Sequence, residues 1–228
     1  LLVTDVSAVN RNVTALEEPT EGRGALLASA LKSFAEHGLN GVSLRTITAQ
    51  AGQLNQSAIR YHFGDKEGLV AAVLADVMAI LARYQSQPLE ELQARSSNQP
   101  WTMRELVQVM FHPFLMVYAA EPLGLQRIRF LSRLTWQEGG KGQAMLVAAV
   151  QPYFLQFSDV LQALSPHKTQ AALALHLYLA VNTLIHGLAD ASLLQAHPVF
   201  GLDTLHQTQP DVLLNYFYDY LAGGLASA

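Results

Sequence analysis

Residues 43–63 read SLRTITAQAGQLNQSAIRYHF, and this stretch decides the fold. Its apolar residues recur at helical spacing on either side of a turn at Gly52 and would anchor two short helices on one core: Leu44, Ile47, Ala51, Ile59 and Phe63. Ser43 and Asn55 are of the residue types that cap helix N-termini, and each precedes one of the two helices. Two short helices around a tight turn, with an apolar inner face, indicate a helix-turn-helix.

The outer face of the second helix carries side chains suited to reading DNA. Gln56, Ser57 and Arg60 would point outward near its start, where glutamine can pair with adenine and arginine with guanine or phosphate. Three residues near the end of the helix suit contact with the neighbouring phosphates: Tyr61, His62 and Lys66. A merely solvated surface is the alternative for any one of these residues, but the block as a whole favours DNA binding.

Helical periodicity dominates the rest of the chain, and no segment shows the sustained alternation of a strand. One apolar face predicts a first helix that stops at Gly38: Leu27, Leu31, Phe34 and Ala35. Asp65 can cap a long helix over residues 66–85. Further helices are predicted near residues 102–120, 122–137, 141–163, 167–194 and 210–224. The first of these should kink or divide at Pro113, because proline removes a backbone donor.

The stretch from residue 20 to residue 80 resembles the tetracycline-repressor (TetR) family. The resemblance lies in FAEHGLNGVSLRTITAQAG followed by NQSAIRYHFGDKEGLVAAVL, where core spacing, turn and KEGL helix start recur together. It implies an all-α fold with a three-helix helix-turn-helix DNA-binding domain over residues 20–66. A connecting helix over 66–85 would join it to a helical ligand-binding and dimerisation domain, the two together forming residues 67–228. Residues 1–19 are expected to be a flexible arm.

Roles carried over by position from the family extend the predicted DNA contacts. Arg45 would approach a base or a phosphate from the supporting helix, and Arg60 stands where the family usually has a phosphate-binding tyrosine. An arginine there keeps a phosphate partner and adds charge, so DNA binding should depend more steeply on salt. The turn AGQLN is one residue longer than the usual form. The complete predicted set is Arg45, Asn55, Gln56, Ser57, Arg60, Tyr61, His62 and Lys66.

Composition adds three constraints. Charged residues make up 14% of the 228 residues, against about 25% in an average soluble domain, which hints that some surface is covered by a second copy. The net charge of −4 divides into +2 over residues 20–66 and −6 elsewhere, as steering toward phosphate requires. The absence of cysteine excludes disulfides, thiolate metal sites and cysteine nucleophiles and fits a reducing cytosol.

One segment raises the question of a membrane. Residues 169–189 carry no formal charge over a spanning length, and a helical membrane-associated protein is therefore one alternative. The segment contains His176, Asn182 and His186, however, and no aromatic belt or basic flanking loop accompanies it. With no basic, apolar signal segment at the start of the sequence, we expect a cytoplasmic protein with no membrane partner and a buried helix at 169–189.

The helix near 167–194 is apolar on nearly every face and needs burial on both sides. A core on one side and a second copy on the other would provide it, and the TetR resemblance implies a four-helix dimer bundle from the helices near 167–194 and 210–224. It also implies an effector cavity among the middle helices. Its candidate lining residues are Met110, Phe111, Phe114, Tyr118, Arg129, Trp136, Phe154, Phe157, His176, Asn182 and His186. Plain core packing is the alternative for each of them.

The sequence therefore predicts a ligand-responsive repressor that binds a palindromic operator as a homodimer and is released by a small apolar or aromatic effector. No catalytic triad, carboxylate pair or phosphate loop stands out, so neither enzymatic activity nor a cofactor is expected. His176 and His186 are ten residues apart and share no helix face, which argues against a metal pair. The alternative is an all-helical small-molecule-binding protein or enzyme that has lost DNA binding.

Overall fold

The computed structural model describes residues 21–53, 57–94, 100–135, 140–191 and 210–227. Over these residues the chain forms ten helices and no strand, which confirms the all-α prediction. The helices are α1 (Glu21–His37), α2 (Leu44–Gln50), α3 (Ser57–Phe63), α4 (Lys66–Gln93), α5 (Met103–Ala120), α6 (Gly124–Thr135), α7 (Lys141–Leu155), α8 (Ser158–Leu164), α9 (Gln170–Ala189) and α10 (Pro210–Ala226).

Helices α1–α3 form a small three-helix unit, called here the DNA-binding half, on the first turns of α4. Gly38, in the left-handed region at φ 71°, ends α1 where the sequence predicts, and its amide donates to the Phe34 carbonyl. The buried side chains come from all four helices: Leu26, Ala30, Phe34, Ile47, Ile59, Leu69 and Val73. The apolar anchors predicted at Ile47 and Ile59 therefore hold α2 and α3 on one core.

Helices α5–α10, called here the C-terminal half, depart from the predicted boundaries at two places. Helix α5 runs unbroken through Pro113, whereas the single helix predicted over residues 141–163 is two helices, α7 and α8, bent by 65°. The bend is at Gln156 and Phe157 and has no glycine to mark it. Phe154, Phe157 and Leu161 are all buried, so packing of these side chains accounts for the change of direction.

Helix α9 is buried on one side and exposed on the other. Its inner residues are Leu173, Ala180, Leu184, Ile185 and Ala189, but only 22% of its most apolar window is buried. The core therefore covers one side of the helix at 169–189, and the burial expected on the other side, against a second copy, stays a prediction. Among the described residues, α9 is the one helix that by length and composition could span a membrane, unless α7 and α8 are counted together as a second. Its exposed apolar side needs another explanation.

Helix α6 joins the two halves through hydrogen bonds at both of its ends. Arg133 donates to the carbonyls of Ala35 and Glu36 at the end of α1, at 3.3 and 3.4 Å. Arg127, near the other end, pairs with Asp76 of α4 at 3.0 Å. A displacement of α6 would therefore be transmitted to both α1 and α4.

Candidate nucleic-acid interface

Helix α2, the supporting helix, begins at a well-formed cap. Ser43 has an extended backbone, and its Oγ accepts a hydrogen bond from the Thr46 amide at 3.1 Å, satisfying a donor that the first turn leaves unpaired. Thr48 is buried, and its hydroxyl donates to the Leu44 carbonyl at 2.7 Å. The Arg45 side chain is exposed.

The turn after α2 is a Schellman motif. Gly52 has φ 69°, a conformation that other residues adopt at a cost. The Gly52 amide donates to the Ala49 carbonyl, and the Gln53 amide donates to the Thr48 carbonyl. Residues 54–56 lie outside the described part of the chain, so the predicted contacts of Asn55 and Gln56 and the effect of the longer turn remain predictions.

A polar network fixes α2 against α1. Gln50 Oε1 accepts hydrogen bonds from the hydroxyls of Ser33, at 2.7 Å, and Ser29, at 3.4 Å. The Ser29 hydroxyl is also 2.8 Å from the Ile47 carbonyl. Both serines are buried, and such groups stabilise only when they are hydrogen-bonded. The network thus sets the angle of α2, and through the turn it sets the start of α3.

Helix α3, the recognition helix, turns Ile59 inward and its polar residues outward. Ser57, Arg60 and Tyr61 are exposed, and Tyr61 is the most exposed large hydrophobic side chain described, at 85%. The His62 ring is half-buried and makes an edge contact with the Tyr61 ring, at 4.9 Å between centroids. The predicted contacts on α3 therefore share an exposed flank with one another, although their contact with DNA stays a prediction.

The junction between α3 and α4 is closed by local hydrogen bonds. Asp65 Oδ1 accepts from the Gly68 amide at 2.8 Å, which confirms the predicted cap. Lys66 Nζ donates to the Val42 carbonyl at 2.5 Å, and burial lowers the pKa of Lys66. This bond positions the ammonium beside the start of α2. Phosphate contact by Lys66 would use its remaining donors.

Arg23, which the sequence-based set lacks, lies beside the recognition helix. Its guanidinium carbon is 5.3 Å from the centroid of the Phe63 ring, a cation–π arrangement. The only signal in the sequence was the positive charge of residues 20–66. A contact between residues 40 positions apart leaves no local pattern, so sequence reasoning could not place Arg23 there.

The predicted effector-lining residues separate into two groups. The four phenylalanines meet in a close-packed cluster with Tyr153, between α5 and α7–α8: Phe111, Phe114, Phe154 and Phe157. The Phe114 and Phe154 rings are stacked at 6.4 Å, and the Tyr153 hydroxyl donates to the carbonyl of Met110 at 2.8 Å. We call this group the aromatic cluster. It is buried in the single chain.

The other candidate lining residues are dispersed. Arg129 donates to the Ala189 carbonyl at 3.2 Å, and Asn182 donates to the Tyr178 carbonyl. His186 Nε2 is 2.9 Å from the Thr135 hydroxyl, and burial lowers the pKa of His186. Two further candidates are Tyr118, which is half-buried, and Trp136, which lies outside the described residues. The bonds of Arg129 and His186 join α6 to α9, whereas the bond of Asn182 lies within α9. The described members of this group do not converge on one site.

His176 lies at the far end of α9 from His186. Its Nδ1 is 2.9 Å from Nζ of the buried Lys168, which also donates to the Leu225 carbonyl at the end of α10. His176 therefore helps to fix α10 on α9. The described residues contain no group of three histidine, aspartate or glutamate side chains placed to hold a metal ion.

Sequence reasoning also missed a buried glutamine next to the aromatic cluster. Gln85 of α4 accepts a hydrogen bond at Oε1 from Gln156, which also donates to the Tyr153 carbonyl. Gln85 Nε2 is buried and has no acceptor among the described residues. An unsatisfied buried amide costs about 1–3 kcal/mol, so it calls for an explanation.

The two halves match two parts of one family. Residues 26–73 match the bacterial regulatory proteins of the tetR family, and residues 108–224 match the tetracyclin repressor-like C-terminal domain. The second match alone covers more than half of the chain. The protein therefore belongs to the TetR family of bacterial regulatory proteins, and its first helices form the helix-turn-helix of that family.

Individual relatives agree over about a third of the chain. The chain is 37% identical over 76 residues to the HTH-type transcriptional repressor AcnR of Corynebacterium glutamicum, covering 33% of this chain and 40% of that protein. It is 38% identical over 90 residues to the HTH-type transcriptional dual regulator CecR of Shigella flexneri, covering 38% and 40%. Less than half the length of each relative is thus matched.

A solved structure agrees over nearly the whole chain. A TetR-family transcriptional regulator from Rhodococcus sp. aligns with 90% of this chain and 96% of its own, with a TM-score of 0.57 and 16% identity. At that identity the likeness supports the fold alone.

Proposed function

We propose that the protein is a homodimeric, ligand-responsive repressor that binds a palindromic operator in the cytoplasm and is released by a small apolar or aromatic effector. The observation that carries this proposal is the exposed apolar surface of α9 and α10. The same chain carries an exposed recognition helix. If a second copy covered the apolar surface, the resulting dimer would carry two recognition helices.

The described residues include eight exposed large hydrophobic side chains, and five of them lie on these two helices: Leu175, Tyr178, Leu179, Tyr216 and Tyr220. We call them the dimer surface. A groove of about 550 Å³ between α9 and α10 opens beside it, lined in part by Gly223 and Gly224. Neither glycine has a neighbouring atom within 4 Å of the place a Cβ would take, so a partner's side chain can approach the backbone there. Because α9 carries no formal charge, a second copy would meet no unpaired charge on it.

A symmetric dimer constrains the DNA. Two copies related by a two-fold axis present the same recognition helix twice, so the two half-sites should form an inverted repeat. Neighbouring major grooves on one side of the duplex are about 34–36 Å apart, which is the spacing that the two α3 helices would have to match.

The effector would enter next to the aromatic cluster. Rings from α5 and α7–α8 offer apolar and stacking contacts, and the unpaired Gln85 Nε2 offers one hydrogen-bond donor from α4. An apolar or aromatic molecule with one acceptor oxygen would satisfy that donor. The cluster is closely packed, so binding would displace α5 or α7, and α5 packs on α6. Movement of α6 would reach α1 through Arg133.

The operator is tested by selecting bound fragments from a random duplex library with the purified chain. We expect the selected fragments to share an inverted repeat. Sedimentation of the complex should show that a dimer binds it. Selection of a single unrepeated half-site by a monomer would contradict the proposal.

The effector is tested by native mass spectrometry of small molecules that co-purify, followed by addition of each one to the operator complex. The effector should weaken operator binding by the wild type. Gln85→Leu should bind operator normally and respond to the effector less. Ligand binding with no change in operator affinity would contradict the sensing role while leaving DNA binding in place.

A further inference from the structure

We infer that Arg23 is an additional DNA contact: a phosphate-binding arginine that α1 presents beside the recognition helix, with its side chain held by the Phe63 ring. This inference rests on the DNA-binding role of the family and on the position of α1. It does not depend on an effector.

The first turn of α1 lies against the helix-turn-helix itself. A Cβ at Gly22 would be 3.1 Å from Nε2 of Gln53, the residue that follows the turn glycine. On the next residue, the Arg23 guanidinium lies over Phe63, the last residue of α3. Arg23 therefore lies between the turn and the end of the recognition helix, although it comes from a different helix.

Arg23 is also next to the predicted phosphate contacts. The Phe63 ring is 5.9 Å from the His62 ring, which is in edge contact with the exposed Tyr61 ring. Arg23 thus extends a row of side chains that ends at Tyr61. A duplex that touches Tyr61 has its phosphates within reach of this row.

The chemistry of the contact suits a phosphate. A guanidinium above an aromatic ring is attracted to the face of that ring. The N–H donors of the guanidinium lie in the guanidinium plane and remain available to an oxyanion. None of the described ion pairs uses Arg23, so its charge is not neutralised by a described carboxylate. The ring reduces the rotamer freedom that a long side chain would lose on binding, so the arginine is partly preorganised.

The test measures the salt dependence of DNA binding. Arg23→Met keeps a long apolar stem and removes the charge, and binding to a labelled duplex of mixed sequence is titrated at several salt concentrations. Loss of one phosphate contact should lower the slope of log K against log salt by about 0.9 for each bound protomer. Affinity at low salt should fall roughly fivefold to tenfold for each protomer.

Lys32→Met is the matched control. Lys32 is exposed on the same helix and carries the same charge, but it lies two and a half turns later and so points from the opposite face. It should leave the slope unchanged. Equal slopes for the wild type, Arg23→Met and Lys32→Met would overturn the inference.

Two further measurements separate phosphate contact from a structural role. If Arg23 only held α1 on α3, Arg23→Met would lower the melting temperature and weaken DNA binding equally at all salt concentrations. The slope of log K against log salt would then be unchanged, and this result would also overturn the inference. Arg23→Lys keeps the charge and loses the planar stacking. It should keep the wild-type slope with lower affinity, and it tests the inference even if Arg23→Met does not fold.

Discussion

The DNA-binding half and the C-terminal half are stabilised in different ways. Helices α2 and α3 have seven residues each, too short to be stable alone, and polar caps, a Schellman turn and the Gln50 network hold α2 in place. The C-terminal half, apart from the short α8, relies on longer helices and on the aromatic cluster. Short helices that must present side chains at defined angles need directional bonds, whereas longer helices are held mainly by burial, with polar contacts such as those of Lys168 in addition.

The largest expected effect is in the aromatic cluster. Phe111 is fully buried, so Phe111→Ala should lower the free energy of unfolding by about 3–5 kcal/mol. Urea unfolding followed by circular dichroism measures the loss. Val147→Ala, at an exposed position of α7, should change stability by less than about 0.5 kcal/mol. Similar losses for the two variants would contradict the assignment of the cluster as the core of the C-terminal half.

The next effect concerns the dimer surface. Leu179→Glu places a charge where a second copy would pack and should raise the dimer dissociation constant by about 30-fold or more. Operator affinity should fall with it. Leu155→Glu is the control, because Leu155 is equally exposed but lies on α7, outside the dimer surface. Sedimentation of both variants distinguishes the possibilities. If both variants remain dimers, the interface lies elsewhere. If both become monomers, the added charge has a general effect that is not specific to the dimer surface.

A pair of cap variants compares the halves directly. Ser43 caps α2, and Thr102 caps α5 in a complete capping box with Glu105. Ser43→Ala and Thr102→Ala should each cost about 1 kcal/mol in thermal unfolding. Only Ser43→Ala should also weaken binding to duplex DNA, since only α2 supports the recognition helix. Equal loss of DNA binding in the two variants would mean that the cap of α5 supports the recognition helix as much as the cap of α2 does.

The smallest effect is a pH dependence in the C-terminal half. Burial lowers the pKa of His112, whose Nδ1 is 2.7 Å from the Tyr218 hydroxyl, and burial also lowers the pKa of His186. The unfolded chain therefore takes up protons more readily than the folded chain. This stabilisation is complete above about pH 6.5 and is lost as the pH falls toward the lowered values.

Melting temperatures measured across this range test the pH effect. His112→Gln should give a shallower loss of stability on acidification than the wild type, and the part due to His186 should remain. A wild-type pH dependence in His112→Gln would remove His112 from this explanation.

The sequence predicted the DNA-binding half well because its determinants are local. Ser43, Gly52 and Asp65 are caps and turn residues whose effect extends over three or four positions, so their types indicate their roles. The positions of Ile47 and Ile59 follow from helical spacing. Arg23 could not be predicted in the same way, because its contact with Phe63 depends on how two helices pack.

The C-terminal half was harder to predict because its boundaries follow from packing. Pro152 lies four residues before Gln156, but α7 continues through it, and the bend between α7 and α8 arises where Phe154 and Phe157 are both buried. The same holds for Gln85, whose unpaired amide depends on neighbours from another helix. Periodicity identified the aromatic residues as inward-facing but not as members of one cluster.

The bonds from Arg133 to α1 have a consequence for how the family can diversify. Both acceptors are main-chain carbonyls, which every residue type possesses, so substitutions at Ala35 or Glu36 leave the acceptors in place. These bonds therefore require an arginine at position 133 of α6 but place no constraint on the side chains at the end of α1. A lineage could exchange or rapidly mutate its DNA-binding module while keeping the same C-terminal module. Chimaeras joined after α1–α3 should keep the hydrogen bonds from Arg133 to the end of α1.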